Sequence, residues 1–172
     1  MNLDHNPVPN LTTAYKGPLY PLEQKVIHHV AEIEQWFRKK WKETPPPLTS
    51  SVDLRHAGFK IAPVDTNLFP AGFNNLNPEF MPMCIQAAQT VLIDYIPDCT
   101  KILLLPESHT RNRFYMQSLH VLRSIFIKAG FEVRIGSLDP LVTHNQEFTL
   151  DDGQTLLIEP LVREGNHVGL KD

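Results

Sequence analysis

The sequence predicts a three-layer α/β fold with a mostly parallel sheet, and two observations support this prediction. Residues 101–137 read as strand, helix and strand, a succession that gives a parallel pair joined by a right-handed crossover. The first of these strands, Lys101–Leu105, is a continuous apolar run, which is typical of a strand covered on both faces. In this chain of 172 residues, we assign residues 1–47 to an N-terminal arm and helix and residues 48–172 to the α/β domain.

The first predicted helix follows an irregular, proline-containing arm and runs from about Pro21 to Glu43. Apolar residues recur along it at spacings of three and four, which gives the helix one apolar face. Trp36 and Trp41 widen this face, so packing against a second copy of the chain, as in a homo-oligomer, stays open beside the ordinary role in a core. The apolar face is predicted to contain Leu22, Val26, Val30, Ile33 and Phe37.

Two short strands and a second helix are predicted next. The strands are placed at Ser51–Leu54 and Phe59–Pro63, and a loop is expected from Val64 onwards. Asn77 is a suitable N-cap for a helix that runs to about Tyr95, because its side-chain oxygen can accept a hydrogen bond from a free backbone N–H group. The buried residues of this helix are predicted to be Phe80, Cys84, Ala87, Val91 and Tyr95.

The helix of the strand–helix–strand succession is predicted from about Asn112 to Ala129. Gly130 follows it at the position where a glycine commonly ends a helix. The next strand is placed at Phe131–Ser137. The buried stripe of the helix is predicted to contain Tyr115, Leu119, Leu122, Phe126 and Ala129.

The last part of the chain predicts a β-hairpin tail. Asp151–Gly153 is a hairpin turn signal between strands expected at Glu147–Leu150 and Gln154–Ile158. A second hairpin is expected over Leu161–Leu170, with its turn at Glu164–Asn166.

Composition argues against several classes of protein. The net charge is −3 and no concentrated basic face is apparent, so no nucleic-acid partner is expected. No apolar run approaches the roughly 20 residues that span a bilayer, and the N-terminus lacks the pattern of a secretory signal, so no membrane partner is expected. Cys84 and Cys99 have neither the number nor the spacing of a disulfide framework or a zinc site. We therefore predict a cytoplasmic protein.

The stretch Ser51–Leu76, SVDLRHAGFKIAPVDTNLFPAGFNNL, mixes charged and amide side chains with aromatic and aliphatic ones. This mixture suits a backbone that is buried at its ends and presents converging polar groups to a polar ligand. It fits equally a β-hairpin with a solvated loop, since loops carry polar residues for turn formation. The candidate substrate-binding residues of this stretch are Arg55, Lys60, Asp65, Asn67 and Asn74.

A second candidate site is Pro106–Arg113, PESHTRNR, which follows the predicted strand Lys101–Leu105 and opens the next helix. Ligands of open α/β sheets bind at the carboxyl ends of the strands, and a helix N-terminus offers free N–H groups to an anion. The arginines add fork-shaped donors that match a carboxylate or a phosphate. A capped helix with a solvated first turn is the alternative. The candidate substrate-binding residues here are Glu107, Ser108, His109, Arg111 and Asn112.

Familiar catalytic and metal-binding motifs are missing from the sequence. It contains no GxGxxG or GxxxxGK(S/T) loop for phosphates, no HExxH pair and no GxSxG nucleophile elbow. His28 and His29 are adjacent on a predicted helix and point to different sides, so they cannot chelate one metal together. His120 is expected to be a hydrogen-bonded helix residue. The residue patterns thus predict a binding site for a small charged molecule, with no metal site and no catalytic residue assigned.

The two candidate stretches resemble a known family. SVDLRHAGFKIAPVDTNLFPAGFNNL, followed by KILLLPESHTRNRFY, resembles the N-terminal region of the proteobacterial glutamate–cysteine ligases. The first run is long and unusual, which makes the match specific, and a weaker likeness extends to GNHVGLKD at the end of the chain. That family's fold is related to glutathione synthetase and the ATP-grasp ligases, so the resemblance implies a Rossmann-like domain of the pre-ATP-grasp type.

The resemblance implies the first step of glutathione biosynthesis, the ATP-dependent formation of γ-glutamylcysteine. ATP, with Mg²⁺, phosphorylates the side-chain carboxylate of glutamate, and the amine of cysteine then attacks the acyl phosphate. The implied partners are glutamate, cysteine and ATP. Family members are longer, and their ATP-grasp part is expected C-terminal to Asp172, so we expect this chain to bind the amino-acid substrates and neither ATP nor Mg²⁺. The alternative function is a non-catalytic α/β module that binds an amino acid or a partner subunit.

Overall fold

The computed structural model of the protein describes residues 20–57, 60–69, 71–107 and 112–170. The chain divides into two compact units, Met1–Pro70 and Ala71–Asp172. Helices and strands occur in both, which confirms the general α/β class. None of the described helices is long and apolar enough to cross a membrane.

Two helices of the first unit, α1 at Tyr20–His28 and α2 at Val30–Glu43, occupy the span where the sequence predicts one. The interruption is His29, whose backbone is not helical (φ −104°, ψ 15°) and whose ring nitrogen lies 2.7 Å from the carbonyl oxygen of Lys25. A side chain that inserts into the backbone hydrogen bonds of a helix is a common cause of a helix irregularity. No residue of α1 or α2 is buried, and of the predicted apolar face the described part of the chain covers only Leu22 and Ile33, both in part.

The first unit also contains an antiparallel hairpin, β1 at Ser51–His56 and β2 at Ile61–Asn67. The prediction of a loop from Val64 onwards is wrong at its start, because the chain stays in the strand as far as Asn67. The pairing register shifts after Asp53 and leaves Val64 without a partner. This β-bulge lets the strand absorb one extra residue without ending.

The second unit opens with two 3₁₀ turns, Phe73–Asn75 and Pro78–Phe80, and the helix α3 at Met81–Tyr95. The side-chain oxygen of Asn77 accepts a hydrogen bond from the N–H of Glu79 at 3.0 Å. This bond confirms the predicted cap, although the turn it caps is of the 3₁₀ type.

The buried face of α3 differs from the predicted one. Its buried residues are Ala88 and Leu92, whereas Ala87 and Tyr95 are exposed and Phe80, Cys84 and Val91 are only partly buried. Ala88 and Leu92 each follow a predicted residue, Ala87 and Val91, by one position. The face of α3 that is buried is the one that packs into the cluster with α4, which the spacing of apolar residues within α3 does not record.

The predicted strand–helix–strand succession is confirmed. Strand β3 at Lys101–Leu104 and strand β4 at Glu132–Ser137 pair in parallel, and α4 spans Arg113–Lys128 between them. Gly130 ends the helix with φ +101°, and the N–H of the next residue, Phe131, bonds back into the helix. The predicted buried stripe is confirmed at Tyr115, Leu119, Leu122, Phe126 and Ala129.

Three further strands complete the sheet: β5 at Gln146–Thr149, β6 at Thr155–Glu164 and β7 at His167–Leu170. The strand order is β3-β4-β6-β5, with β7 paired to β6. The pairing of β4 with β6 is parallel, and β5 and β7 are antiparallel to β6. Both predicted hairpins are thus present, but they share one long strand: the break expected between Ile158 and Leu161 is wrong, because the chain stays extended there.

The core of the second unit lies on one face of this sheet. Residues that alternate along β3, β4 and β6 join α3 and α4 in one buried cluster. On the opposite face Leu103 is 37% exposed, and Leu105, just beyond β3, is 47% exposed. The expectation that Lys101–Leu105 is covered on both faces is therefore wrong for these residues. The inward-facing strand residues are Leu104, Val133, Ile135, Leu156 and Ile158.

Candidate functional site

The first candidate cluster lies on one face of the hairpin. Residues directly opposite each other in an antiparallel pair point to the same side. Asp53 lies opposite Asp65 and Arg55 lies opposite Ala62. Because side chains alternate along a strand, Asn67 shares the side of Asp65, and Arg55 that of Asp53. The hairpin thus brings together three predicted residues, Arg55, Asp65 and Asn67, on what we call the polar face, which also contains Asp53.

The polar face combines groups of opposite chemistry. All four of its side chains are exposed, and the amide nitrogen of Asn67 donates to a carboxylate oxygen of Asp65 at 3.4 Å. Two carboxylates and an amide oxygen can accept hydrogen bonds from an ammonium group, while a guanidinium can donate two parallel bonds to a carboxylate. Such a set can bind a molecule that carries both charges.

Lys60 and Asn74 lie outside this face. Lys60 precedes β2, and its carbonyl oxygen accepts a hydrogen bond from the N–H of Ala57 at 3.0 Å. Asn74 belongs to the second unit, in the 3₁₀ turn whose Phe73 N–H donates to the hydroxyl of Ser118 on α4 at 3.2 Å. The structure thus places Asn74 with the elements of the second candidate cluster.

The second cluster begins where β3 ends and continues to the start of α4. The backbone N–H of Glu107 donates to the hydroxyl of Tyr115 at 2.8 Å. The side-chain oxygen of Asn112 accepts hydrogen bonds from the N–H groups of Phe114 at 3.0 Å and Tyr115 at 3.4 Å, so Asn112 is the N-cap. The segment is thereby fixed at both ends. The candidates Ser108, His109 and Arg111 lie outside the described residues.

A cleft of about 570 Å³ lies beside the first turn of α4. This volume is within the range of small-molecule sites. Its walls include Arg113 and Met116 of α4, Asp139 and Leu141 after β4, and Phe148 and Asp151 from β5 and the turn that follows it.

The polar wall of the cleft consists of an ion pair between Arg113 and Asp151, to which Gln117 adds a hydrogen bond. The guanidinium of Arg113 donates to Oδ2 of Asp151 from Nε at 2.7 Å and lies 2.5 Å from it at Nη2. The amide of Gln117 donates to the same oxygen at 2.5 Å. Arg113 belongs to the second predicted cluster, whereas Asp151 was predicted only as part of a hairpin turn. No local signal could have joined them, because the two are 38 residues apart.

Burial changes the ionisation of two groups near these elements. Burial raises the pKa of the Tyr115 phenol, and the hydrogen bond between this phenol and the backbone of Glu107 offsets part of the increase. Burial likewise raises the pKa of the Cys84 thiol on α3. The expectation of a hydrogen-bonded His120 is wrong at one atom, since its Nδ1 is buried with no partner in the described part of the chain.

No group of three or more histidine, cysteine, aspartate or glutamate side chains within residues 20–57, 60–69, 71–107 and 112–170 could hold a metal ion. The sequence also lacks the glycine-rich loops that cradle phosphates. No metal site and no step of chemistry through a metal is assigned to the described residues.

Comparisons with known proteins agree with one another. The family profile described as GshA, glutamate-cysteine ligase, matches residues 23–172. A crystal structure from Methylobacillus flagellatus KT, of a protein provisionally named gamma-glutamylcysteine synthetase, is 51% identical and superposes with a TM-score of 0.78. The match covers 95% of this chain and 39% of that chain, so the chain spans about two fifths of the length of this relative. No curated protein matches the chain.

Proposed function

Because the chain belongs to the glutamate–cysteine ligase family, we propose that it is the substrate-binding part of a ligase that forms γ-glutamylcysteine with ATP. The match of the family profile to residues 23–172 carries this proposal. The reaction is the first step of glutathione biosynthesis, and we place it in the cytoplasm. Since the Methylobacillus relative is longer than this chain, we assign the complete reaction to a protein of the family's full length.

The polar face of the hairpin has the groups that glutamate requires. Glutamate carries two carboxylates and one ammonium group. We assign a carboxylate to the guanidinium of Arg55, with Lys60, just outside the polar face, as a second cation, and the ammonium group to Asp65 and Asn67. A hydrogen bond to a charged group contributes on the order of 1.5–3 kcal/mol, so two or three of them are sufficient to orient the substrate.

The segment between β3 and α4 offers a second set of polar groups. Its place at the carboxyl end of a parallel strand is where open α/β sheets bind ligands. We assign Arg111 to a carboxylate and Glu107 to an ammonium group of an amino-acid substrate. The remaining polar groups assigned to substrate binding are Asn74, Ser108, His109 and Asn112.

The chemistry of the proposed reaction divides between this chain and other parts of the protein. ATP, when bound, supplies the phosphoryl group that converts the side-chain carboxylate of glutamate into an acyl phosphate. The amine of cysteine then forms the amide bond as phosphate leaves and a proton is lost. We assign to the residues of this chain only the binding and orientation of the amino acids, and to the ATP-grasp part the binding of ATP and Mg²⁺.

A chimera tests the proposal. The matched part of the Methylobacillus protein is replaced by this chain, and γ-glutamylcysteine is measured by mass spectrometry with glutamate, cysteine and Mg·ATP. We expect product only when all three substrates are present. A folded chimera that binds glutamate but makes no product, beside an active parent protein, would support the non-catalytic module instead.

A further inference from the structure

The sheet of the second unit has a face opposite α3 and α4 that we call the open face, defined by Leu103, Leu105, Arg134, Leu157 and Glu159. Leu103 pairs with Arg134 across β3 and β4. Gly136 pairs with Glu159 across β4 and β6, which places Leu157 beside Arg134. Leucine, arginine and leucine therefore form one row across three parallel strands. Leu105 and Glu159 extend it toward the carboxyl ends.

The apolar part of the open face is exposed. Leu103 is 37%, Leu157 39% and Leu105 47% exposed. All-parallel sheets occur almost only where both faces are covered, and the three strands that form this face, β3, β4 and β6, pair in parallel. Strand β3 also ends the sheet, because within the described residues it pairs with β4 alone. Its outer edge keeps backbone groups that another strand could pair with.

The polar part of the open face is already satisfied. The guanidinium of Arg134 donates from Nε to Glu159 at 2.7 Å and from Nη2 to the second carboxylate oxygen. The Glu159 side chain is only 12% exposed. A partner that covered this face would not leave an isolated charge behind, and an isolated buried charge is the costly outcome. The face therefore suits coverage by apolar side chains around a fixed ion pair.

The length of the Methylobacillus relative indicates the occupant. This chain is matched over 95% of its length but covers only 39% of that chain, so the relative carries about three fifths of its sequence beyond the matched part. We propose that the open face is the surface on which the additional polypeptide of the full-length family protein packs, with apolar side chains over Leu103, Leu105 and Leu157. This inference rests on family membership and burial and not on catalytic activity.

Cysteine labelling tests this packing. Leu103→Cys and Leu157→Cys are made separately after Cys84→Ala and Cys99→Ser, in this chain and in a chimera that adds the relative's unmatched sequence at the end where the relative carries it. Ile127→Cys is the matched control, because Ile127 lies on α4 and is 41% exposed. Reaction with a maleimide is expected to slow at least about tenfold at positions 103 and 157 in the chimera, equivalent to ~1.4 kcal/mol of protection. At position 127 the rate is expected to stay within about twofold, which is ~0.4 kcal/mol on the same scale.

Three outcomes would overturn the proposal. One is equally fast labelling of positions 103 and 157 in both proteins. Another is labelling at these positions that is already slow in this chain without the added sequence. The third is a labelling rate that falls as this chain is concentrated, together with a dimer in sedimentation, because a second copy is then the occupant.

The melting temperature provides a second test, for the case in which the chimera folds poorly and its labelling rates cannot be compared with those of this chain. Leu103→Asp should lower the melting temperature of the chimera by more than that of this chain, since in this chain the side chain is still 37% exposed to water. Equal effects in the two proteins would contradict the proposal. An inactive chimera with a protected open face would count against the proposed function but not against the packing proposed here.

Discussion

The hydroxyl of Tyr115 accepts a hydrogen bond from the backbone N–H of Glu107 at 2.8 Å. Tyr115 is a buried residue of the first turn of α4, and Glu107 lies in the segment that follows β3. One side chain of the core therefore fixes the start of the second candidate cluster, while Asn112 fixes its end.

Tyr115→Phe should lower the free energy of unfolding by about 1 kcal/mol, the usual contribution of one hydrogen bond. The ring still fills its place in the core, so the loss reflects the hydroxyl alone. Urea unfolding of this chain measures it. Tyr20→Phe is the control, because Tyr20 is 42% exposed, and a loss as large in that variant would show that the bond to Glu107 is not the cause.

The pH dependence of stability should also report on Tyr115. Burial raises the pKa of its phenol in the folded protein, so above pH ~10, the ordinary value, the unfolded chain loses this proton first. The free energy of unfolding then falls as the pH rises through the folded pKa. We expect a shallower fall for Tyr115→Phe than for the native chain between pH 9 and 11 or so. Parallel curves would assign the alkaline loss to other groups.

Glu159→Gln should remove an acid-sensitive part of the stability. The hydrogen bond from Arg134 lowers the pKa of Glu159, so its contribution is present above the unfolded pKa of about 4.5 and is lost as the pH falls through the folded pKa. Because Arg134 is 41% exposed, we expect only about 1 kcal/mol at pH 7. Native and variant chains should converge in stability below that range. A constant difference at all pH values would mean that packing, not ionisation, is responsible.

Gly136→Ala should destabilise the second unit by about 1–3 kcal/mol, the usual cost of overpacking. A Cβ atom at this position would lie 2.5 Å from Cδ2 of Leu161, so Leu161 must move. Gly169→Ala is the matched control in the same sheet, since nothing lies within 4 Å of its added Cβ. If Leu161→Ala fails to relieve the loss in a double variant, the clash is not its cause.

Arg55→Ala, tested in an active chimera, should impair the use of glutamate without affecting the fold. We expect kcat/KM for glutamate to fall by the equivalent of roughly 2–4 kcal/mol, and the same direction of change for Arg111→Ala. Arg38→Ala is the control, because Arg38 is an exposed arginine of α2 that pairs only with Glu34 among the contacts described. Unchanged kinetics for Arg55→Ala would remove the hairpin from the glutamate site.

Titration calorimetry with Mg·ATP should show no tight binding to this chain. The expectation follows from the missing phosphate loops and from the absence of a metal-binding group among the residues described. A dissociation constant near or below about 1 μM, or ~8 kcal/mol of binding free energy, would contradict the division of chemistry that we propose.

Local sequence signals predicted much of the secondary structure. The buried stripe of α4, the cap at Asn77 and the glycine after α4 were all readable, because each depends on residues within a few positions along the chain. The parallel pairing of β3 and β4 followed from the length of the connection between them. The family resemblance rested on the same kind of information, a run of residues whose identities and order are specific.

Only the tertiary structure decided the features that depend on distant contacts. The bulge at Val64 puts Asp65 opposite Asp53, the packing of α3 with α4 decides which face of α3 is buried, and the first turn of α4 meets Asp151. Sequence periodicity records that a side chain is apolar or charged but not what lies opposite to it. The same apolar pattern is therefore found in Leu104, which is 6% exposed in the core, and in Leu103, which is 37% exposed on the open face. Which of the two is covered is set by the elements that pack on each side of the sheet.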